Sequence, residues 1–314
     1  MVRNHYHAGQ NNAGFGHENE VAYGACPDPD IKTIDCATAA DAFNVLLDLA
    51  QNDQHEMFFR GLGTDSHDIS STYSRYTTNP HNVLSLEEMV DHFVNSVTST
   101  GKELPFGKGD KRGKLEYARH YGLPSPLIDW SFSPYVSMYF AFSGVNARDG
   151  GTSVVCALDI QAMAGLFATA LSKDPTGTVD GSKVMKLREK FFPETPFSTE
   201  YPSHELFFLN YPAAWNTRMI RQMGAFLYDT LDYSRMGAPT LEKFIEHNPE
   251  IPGPVTQSAL TRVTIPHSEA SRVFTRLELA GITGTRLLDD YEGAVADVRN
   301  AYNYNRKGGY TWTP

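Results

Sequence analysis

The sequence contains no apolar run approaching the roughly 18 residues that a membrane-crossing helix requires, which excludes a transmembrane helix. It also lacks an apolar leader. The first residues, MVRNHYHAGQNNAGFGHENE, are polar throughout, so secretory export is not supported and a cytoplasmic chain is expected. Only three cysteines occur, Cys26, Cys36 and Cys156, an odd number without metal-type spacing. They read as reduced thiols rather than a disulfide framework, and none carries the signature of a nucleophile. No repeat with a period of 20–50 residues is visible, which argues against a solenoid or propeller. Basic charge is in deficit: the formal net charge of −10 works against non-specific binding to nucleic acid. One local exception is Lys102, Lys108, Lys111, Arg112 and Lys114, within a Gly-rich stretch at 101–114. That stretch is either a solvated loop or, if it lines a cleft, a contact for RNA or DNA.

What is present suffices for a substantial core. A chain of 314 residues with 41% hydrophobic residues corresponds to one large domain or two modest ones. Residues 1 to about 30 are rich in Asn, Gly and His and read as a mobile segment. His5 and His7 can hold a metal only with partners from elsewhere, and no metal site is predicted. Thr38 is placed to cap a helix reaching Gln51, and Ser85 with Glu88 forms the S-x-x-E capping box of a helix over 85–98. Strands are expected at Met57–Gly61, Thr152–Leu158, His204–Leu209, Ala225–Tyr228 and Leu260–Ile265. Ser268 is expected to cap a helix through Leu279, and Tyr291–Tyr304 to form the closing helix. The segment around 159–200 reads as an insertion with polar surfaces.

Functional residue types concentrate in Leu115–Phe142, LEYARHYGLPSPLIDWSFSPYVSMYFAF. Helical spacing over Leu115–Tyr121 stops at Gly122 and Pro124; Leu127–Trp130 follows as an extended segment, and Ser133-Pro134 opens another helix. Asp129 and Ser131 would then lie at a strand end beside a helix N-terminus, an arrangement that suits a phosphate. Equally, Asp129 can cap the turn and Trp130 can be core. Upstream, Met57-Phe58-Phe59-Arg60-Gly61 ends a strand with a planar guanidinium and a residue that permits close backbone approach. Gln222 is either an amide cap or a donor to a sugar hydroxyl.

Phe59-Arg60-Gly61, Arg75, Ala118-Arg119-His120-Tyr121-Gly122-Leu123-Pro124, Leu127-Ile128-Asp129-Trp130-Ser131 and Tyr139-Phe140-Ala141 together resemble the FRG domain, named for its Phe-Arg-Gly signature. Arg218, Gln222, Gly224 and Phe226, and then Leu287–Val298, continue the pattern. Ser125-Pro126 stands where the family usually has Thr-Arg, and Arg119 where Gln is common. The order Arg60-Gly61, Ser131 with Phe140-Ala141, then Gln222 is also similar to the ADP-ribosyltransferases, although Gly224 stands where those enzymes carry a carboxylate.

The resemblance implies an α+β fold: a single large domain over 31–314, with a mixed, mainly antiparallel β core flanked by helices, as in an ADP-ribosyltransferase. It implies a toxin-type enzyme of a toxin–antitoxin or phage-defence system. Such an enzyme uses NAD as substrate to modify a protein or RNA acceptor and is held in check by a neutralising antitoxin protein. The alternatives are a non-catalytic nucleotide- or nucleic-acid-binding module and an NAD glycohydrolase. Catalytic roles would fall to Asp129, His120, Gln222 and Glu205, with Asp129 or Glu205 supplying the carboxylate. NAD would be held by Arg60, Gly61, Arg119, Tyr121, Trp130, Ser131 and Tyr139.

Overall fold

A computed structural model describes residues 31–51, 56–79, 81, 84–172, 181–194, 196–197, 200–247 and 258–304. His5, His7 and Cys26 lie outside the described residues. The elements in chain order are β1 (Ile31–Asp35), α1 (Ala39–Ala50), β2 (Met57–Leu62), α2 (Thr72–Thr77), α3 (Leu86–Ser99), α4 (Lys111–His120), β3 (Leu127–Ser131), α5 (Pro134–Phe142), β4 (Thr152–Asp159) and α6 (Ile160–Ser172). They continue with α7 (Gly181–Lys190), β5 (Leu206–Leu209), α8 (Thr217–Arg221), β6 (Gly224–Asp229), α9 (Leu241–His247), β7 (Leu260–Pro266), α10 (Ala270–Leu279), α11 (Gly284–Leu287) and α12 (Asp290–Asn303).

The strands form one seven-stranded sheet, ordered β1-β7-β4-β2-β3-β6-β5. Among the described residues only β1 and β7 run parallel and every other pairing is antiparallel, so the expected mixed, mainly antiparallel α+β domain is present. No helix among the described residues is long and apolar enough to cross a membrane.

Strand periodicity divides the core. Phe58, Ile128, Trp130, Cys156, Leu158, Phe208 and Leu227 project to one face, under α6 and α9. Their alternates project to the other face, where two separate clusters form. Phe59, Val155, Ala157 and Val263 pack with α1, α5 and α10, whereas Leu127, Phe207, Phe226 and Tyr228 pack with α3 and α4. The second face is therefore covered by two helical groups that part above the middle of the sheet. There β2 and β3 share a single register pair, Phe59 opposite Ser131, so the two strands splay.

Several local expectations hold. Thr38 accepts from the Asp41 amide, Ser85 and Glu88 close the capping box, and Ser133 caps α5 with Pro134 in its first turn. Others are corrected. The segment read as a polar insertion begins with α6, whose Ile160, Ala162, Met163, Leu166 and Phe167 are buried; a helix apolar all round belongs in a core. Ser268 does not cap α10. Residues His267–Glu269 form a 3-10 turn, and Glu269 instead accepts from the Ala39 amide. The basic stretch at 101–114 is a loop only as far as Asp110, which caps α4 by accepting from the Gly113 amide.

Candidate functional site

A cleft of about 400 Å³ opens where the two helical groups part, within the roughly 300–1,000 Å³ range of ligand sites. Its floor is Phe59 and Phe226 from the sheet, with Val136 and Phe140 of α5 on one side and Met219 of α8 on the other. Polar groups reach it from three neighbouring strands: Arg60 of β2, Asp129 and Ser131 of β3, and Gln222 at the entry to β6. Helix α4 adds Glu116, Arg119 and His120, and the α8 segment adds Asn216 and Arg218.

Arg60 pairs in register with Cys156, so its side chain leaves β2 on the α6 and α9 side, and the splay between β2 and β3 lets it reach the cleft. One guanidinium nitrogen, Nη1, donates to the Asp129 carbonyl at 2.5 Å, in place of a ladder bond, while Nε is buried without a partner. Burial pulls the Arg60 pKa below its ordinary value; the Asp129 charge opposes this and Arg119 adds to it. Burial and a single carbonyl bond leave the cation poorly compensated. The Asp129 carboxylate, on the cleft face, is held by Arg119 in a two-point ion pair: Nε lies 3.2 Å from Oδ1, and Nη2 bonds Oδ2. This arginine stands on the last turn of α4, whose alignment with β3 follows from the tight Gly122–Pro124 turn. Gly122 has a φ of +89°, which the turn requires.

His120 lies 4.0 Å from Asp289 and also lines the cleft. Burial and the nearby Arg218 lower its pKa, against the pull of Asp289 and Glu292, which favours the neutral ring. Glu116 is the buried centre of the cleft wall. It accepts from Arg112 Nε at 2.8 Å, from the Ala213 amide at 3.0 Å and from Asn216 Nδ2 at 3.0 Å. Those bonds fix the 211–216 loop against α4.

Of the residues selected from the sequence, Arg60, Gly61, Arg119, His120, Asp129, Trp130, Ser131 and Gln222 border the cleft. Their contacts revise several readings. Gly61 serves helix packing: a Cβ there would lie 2.1 Å from the Ser137 carbonyl and 2.4 Å from the Ala141 nitrogen, so the close approach is to α5 rather than to a ligand. Trp130 packs its indole into the core on the opposite face of the sheet, as strand parity dictates, with Nε1 unpartnered. Ser131 donates to the Gln222 carbonyl at 2.7 Å and accepts from the Ser133 amide at 3.0 Å, which joins β3 to β6. The Gln222 side chain donates to the Leu287 carbonyl at 3.0 Å.

Three selections lie elsewhere. Tyr139 is fully buried behind α5, edge-on to Phe274 and within 3.4 Å of Asn300 Nδ2, and cannot stack on a ligand in the cleft. Tyr121 is 61% exposed and packs outward against Tyr117 and Phe93. Glu205 precedes the edge strand β5, beyond β6, where its amide meets Thr230.

None of the residues at 101–114 lines the cleft. Lys111, Arg112 and Lys114 are paired with Glu87, Glu116 and Asp91, so three of the five basic residues are neutralised at the start of α4. Burial raises the Cys36 thiol to about 11 and Cys156 to about 12, which leaves both unreactive.

The sequence reading missed Glu116, Asn216 and the apolar floor. For Glu116 a signal existed in the Arg112–Glu116 spacing of four residues, within a helix whose neighbours Leu115 and Ala118 are apolar.

Fold and cleft together define an α+β domain with a polar-rimmed, apolar-floored cleft among the strands β2, β3 and β6. Residues 55–150, from the start of β2 through α5 to the approach of β4, match the FRG domain. No curated protein and no solved structure matches the chain.

Proposed function

We propose that the cleft binds NAD as a substrate and that the chain transfers its ADP-ribosyl group to a macromolecular acceptor, protein or RNA. The observation that supports this most directly is the convergence of Arg60, Asp129–Ser131 and Gln222, from three adjacent strands, on one cleft of ligand size. In this reading Arg60 and Arg119 hold the pyrophosphate. Asp129 is released as phosphate engages Arg119, and its carboxylate then faces the anomeric carbon. The bond from that carbon to the nicotinamide nitrogen breaks, with the electron pair leaving on nicotinamide, and the carboxylate stabilises the oxocarbenium-like charge. An acceptor nucleophile bonds to the anomeric carbon and gives its proton to the neutral His120. By family likeness the activity is that of a toxin in a toxin–antitoxin or phage-defence system, acting in the cytoplasm and restrained by a neutralising protein.

One departure favours a second reading, a nucleotide-binding module without catalysis. The position where the transferases carry a carboxylate is Gly224, and Met219 fills the space a side chain would need, its Cε 2.3 Å from a Cβ built there. Incubation with NAD labelled on the adenylate phosphate, in a cell lysate, separates the readings. Label on protein or RNA supports transfer, free ADP-ribose alone indicates a glycohydrolase, and binding without turnover indicates the module.

A further inference from the structure

Helix α12 carries side chains that demand cover on two opposite faces. The inner face is occupied: Gly293 packs on Gly284, Asp297 accepts from the Gly284 and Thr285 amides, and Asn300 meets Tyr139. The outer face holds Tyr291, Val295, Val298 and Tyr302, which are 87%, 46%, 70% and 87% exposed. Their spacing of four, three and four residues is that of a coiled-coil seam, and at about 100° per residue the four fall within an arc of about 60°. A stripe this narrow and this apolar on a surface helix marks an interface.

The flanks say what covers it. On one side of the stripe lie Glu292 and Arg299; on the other lie Ala294 and Ala301, small enough for close helix approach. If two copies of α12 meet antiparallel across a two-fold axis, each flank faces its own counterpart. Val295 then opposes Val298 of the other copy, Tyr291 opposes Tyr302, and Glu292 meets Arg299 twice. Parallel pairing would set both charges against alanine. Arg299 makes no ion pair among the described residues, and the Glu292 side chain, although bonded to Arg218, is 57% exposed. We infer that α12 is a self-association surface, through which two copies of this chain pair as an antiparallel, two-fold symmetric dimer. The stripe presents roughly 500 Å² of surface, less than the about 800 Å² per partner of a standard stable interface. A surface below that size fits a reversible dimer.

Sedimentation velocity of the full chain over a concentration series tests this. A monomer–dimer equilibrium is expected. Val298→Asp should abolish it, and Arg299→Glu, which turns both ion pairs into repulsions, should weaken it by about tenfold. Adding Glu292→Arg to Arg299→Glu should restore it. Circular dichroism melts confirm that each variant is folded. A short bismaleimide linker should join Val295→Cys chains to Val298→Cys chains in a mixture, in preference to Tyr302→Cys chains with one another. A chain monomeric at every concentration, a dimer indifferent to Val298→Asp and Arg299→Glu, or preferential crosslinking of Tyr302→Cys to itself would each overturn the proposal.

Discussion

Replacing Glu116 tests whether the cleft wall is assembled as described. Its carboxylate is wholly buried and accepts from Arg112, from the Ala213 amide and from Asn216 Nδ2. Hydrogen bonds to a charged group contribute about 1.5–3 kcal/mol each, but they share one acceptor and are not additive. Removing one member of a buried ion pair costs about 3–5 kcal/mol, because the partner's charge is left behind. Arg112 is partly exposed and can turn to solvent, so Glu116→Ala belongs near the lower end, about 3 kcal/mol. Glu116→Gln keeps the volume but sets an NH₂ group against donors, and should cost about 2 kcal/mol. With a urea slope of about 3 kcal/mol per molar, the midpoint should fall by about 1 M for alanine and somewhat less for glutamine. Equilibrium unfolding followed by tryptophan fluorescence reads this directly, since Trp215 lies in the tethered segment. Midpoints within about 0.3 M of wild type for both variants, at unchanged slope, would refute the assignment of Glu116 as the tether.

The remaining predictions concern other parts of the same frame. Gly61→Ala forces a methyl into the α5 backbone, where Ser137 O and Ala141 N cannot move independently, and should cost at least the about 1–3 kcal/mol of an overpacked core. A urea midpoint equal to wild type would show that α5 packs otherwise. Burial raises the Asp229 carboxyl from 3.8 to about 6, against the bonds it accepts from Leu231 and Tyr233. The folded value exceeds the unfolded one, so this group favours folding most below the unfolded value, and the contribution is lost as pH rises through about 6. Asp229→Asn should therefore match wild type near pH 4 and exceed it by up to about 3 kcal/mol at pH 7. A stability difference that does not change between these two pH values would contradict it.

What could be read from the sequence was local. The caps at Thr38, Ser85 and Ser133 announce themselves because the first helical amides need an acceptor and the side chain stands next to them. Strand β2 and the stretch Leu115–Phe142 were legible for the same reason, through short apolar runs bounded by Gly and Pro. What failed depended on contacts distant in sequence. Strand β1 is a five-residue edge whose partner, β7, lies more than 200 residues away. Tyr139 and Phe140 are adjacent on a helix buried on nearly all sides, and only the packing of α10 and α12 decides that the first is core and the second lines the cleft. Trp130 turned on strand parity. With Asp129 on the cleft face, the indole of its neighbour enters the core on the other face. Charge compensation was also invisible: the pairs that neutralise Lys111 and Lys114 come from α3, and the pair Arg119–Asp129 spans the turn between α4 and β3.

The central claim is that Arg60, poorly compensated in the splay between β2 and β3, supplies the anion contact of a nucleotide cleft. Isothermal titration of NAD into the wild-type chain and into Arg60→Met, both checked for folding by their urea midpoints, measures it most directly. Loss of a charged hydrogen bond of about 1.5–3 kcal/mol predicts binding weaker by about 10- to 150-fold in the variant. Equal affinity in the two proteins, or a folded wild type that does not bind NAD at all, would contradict the account.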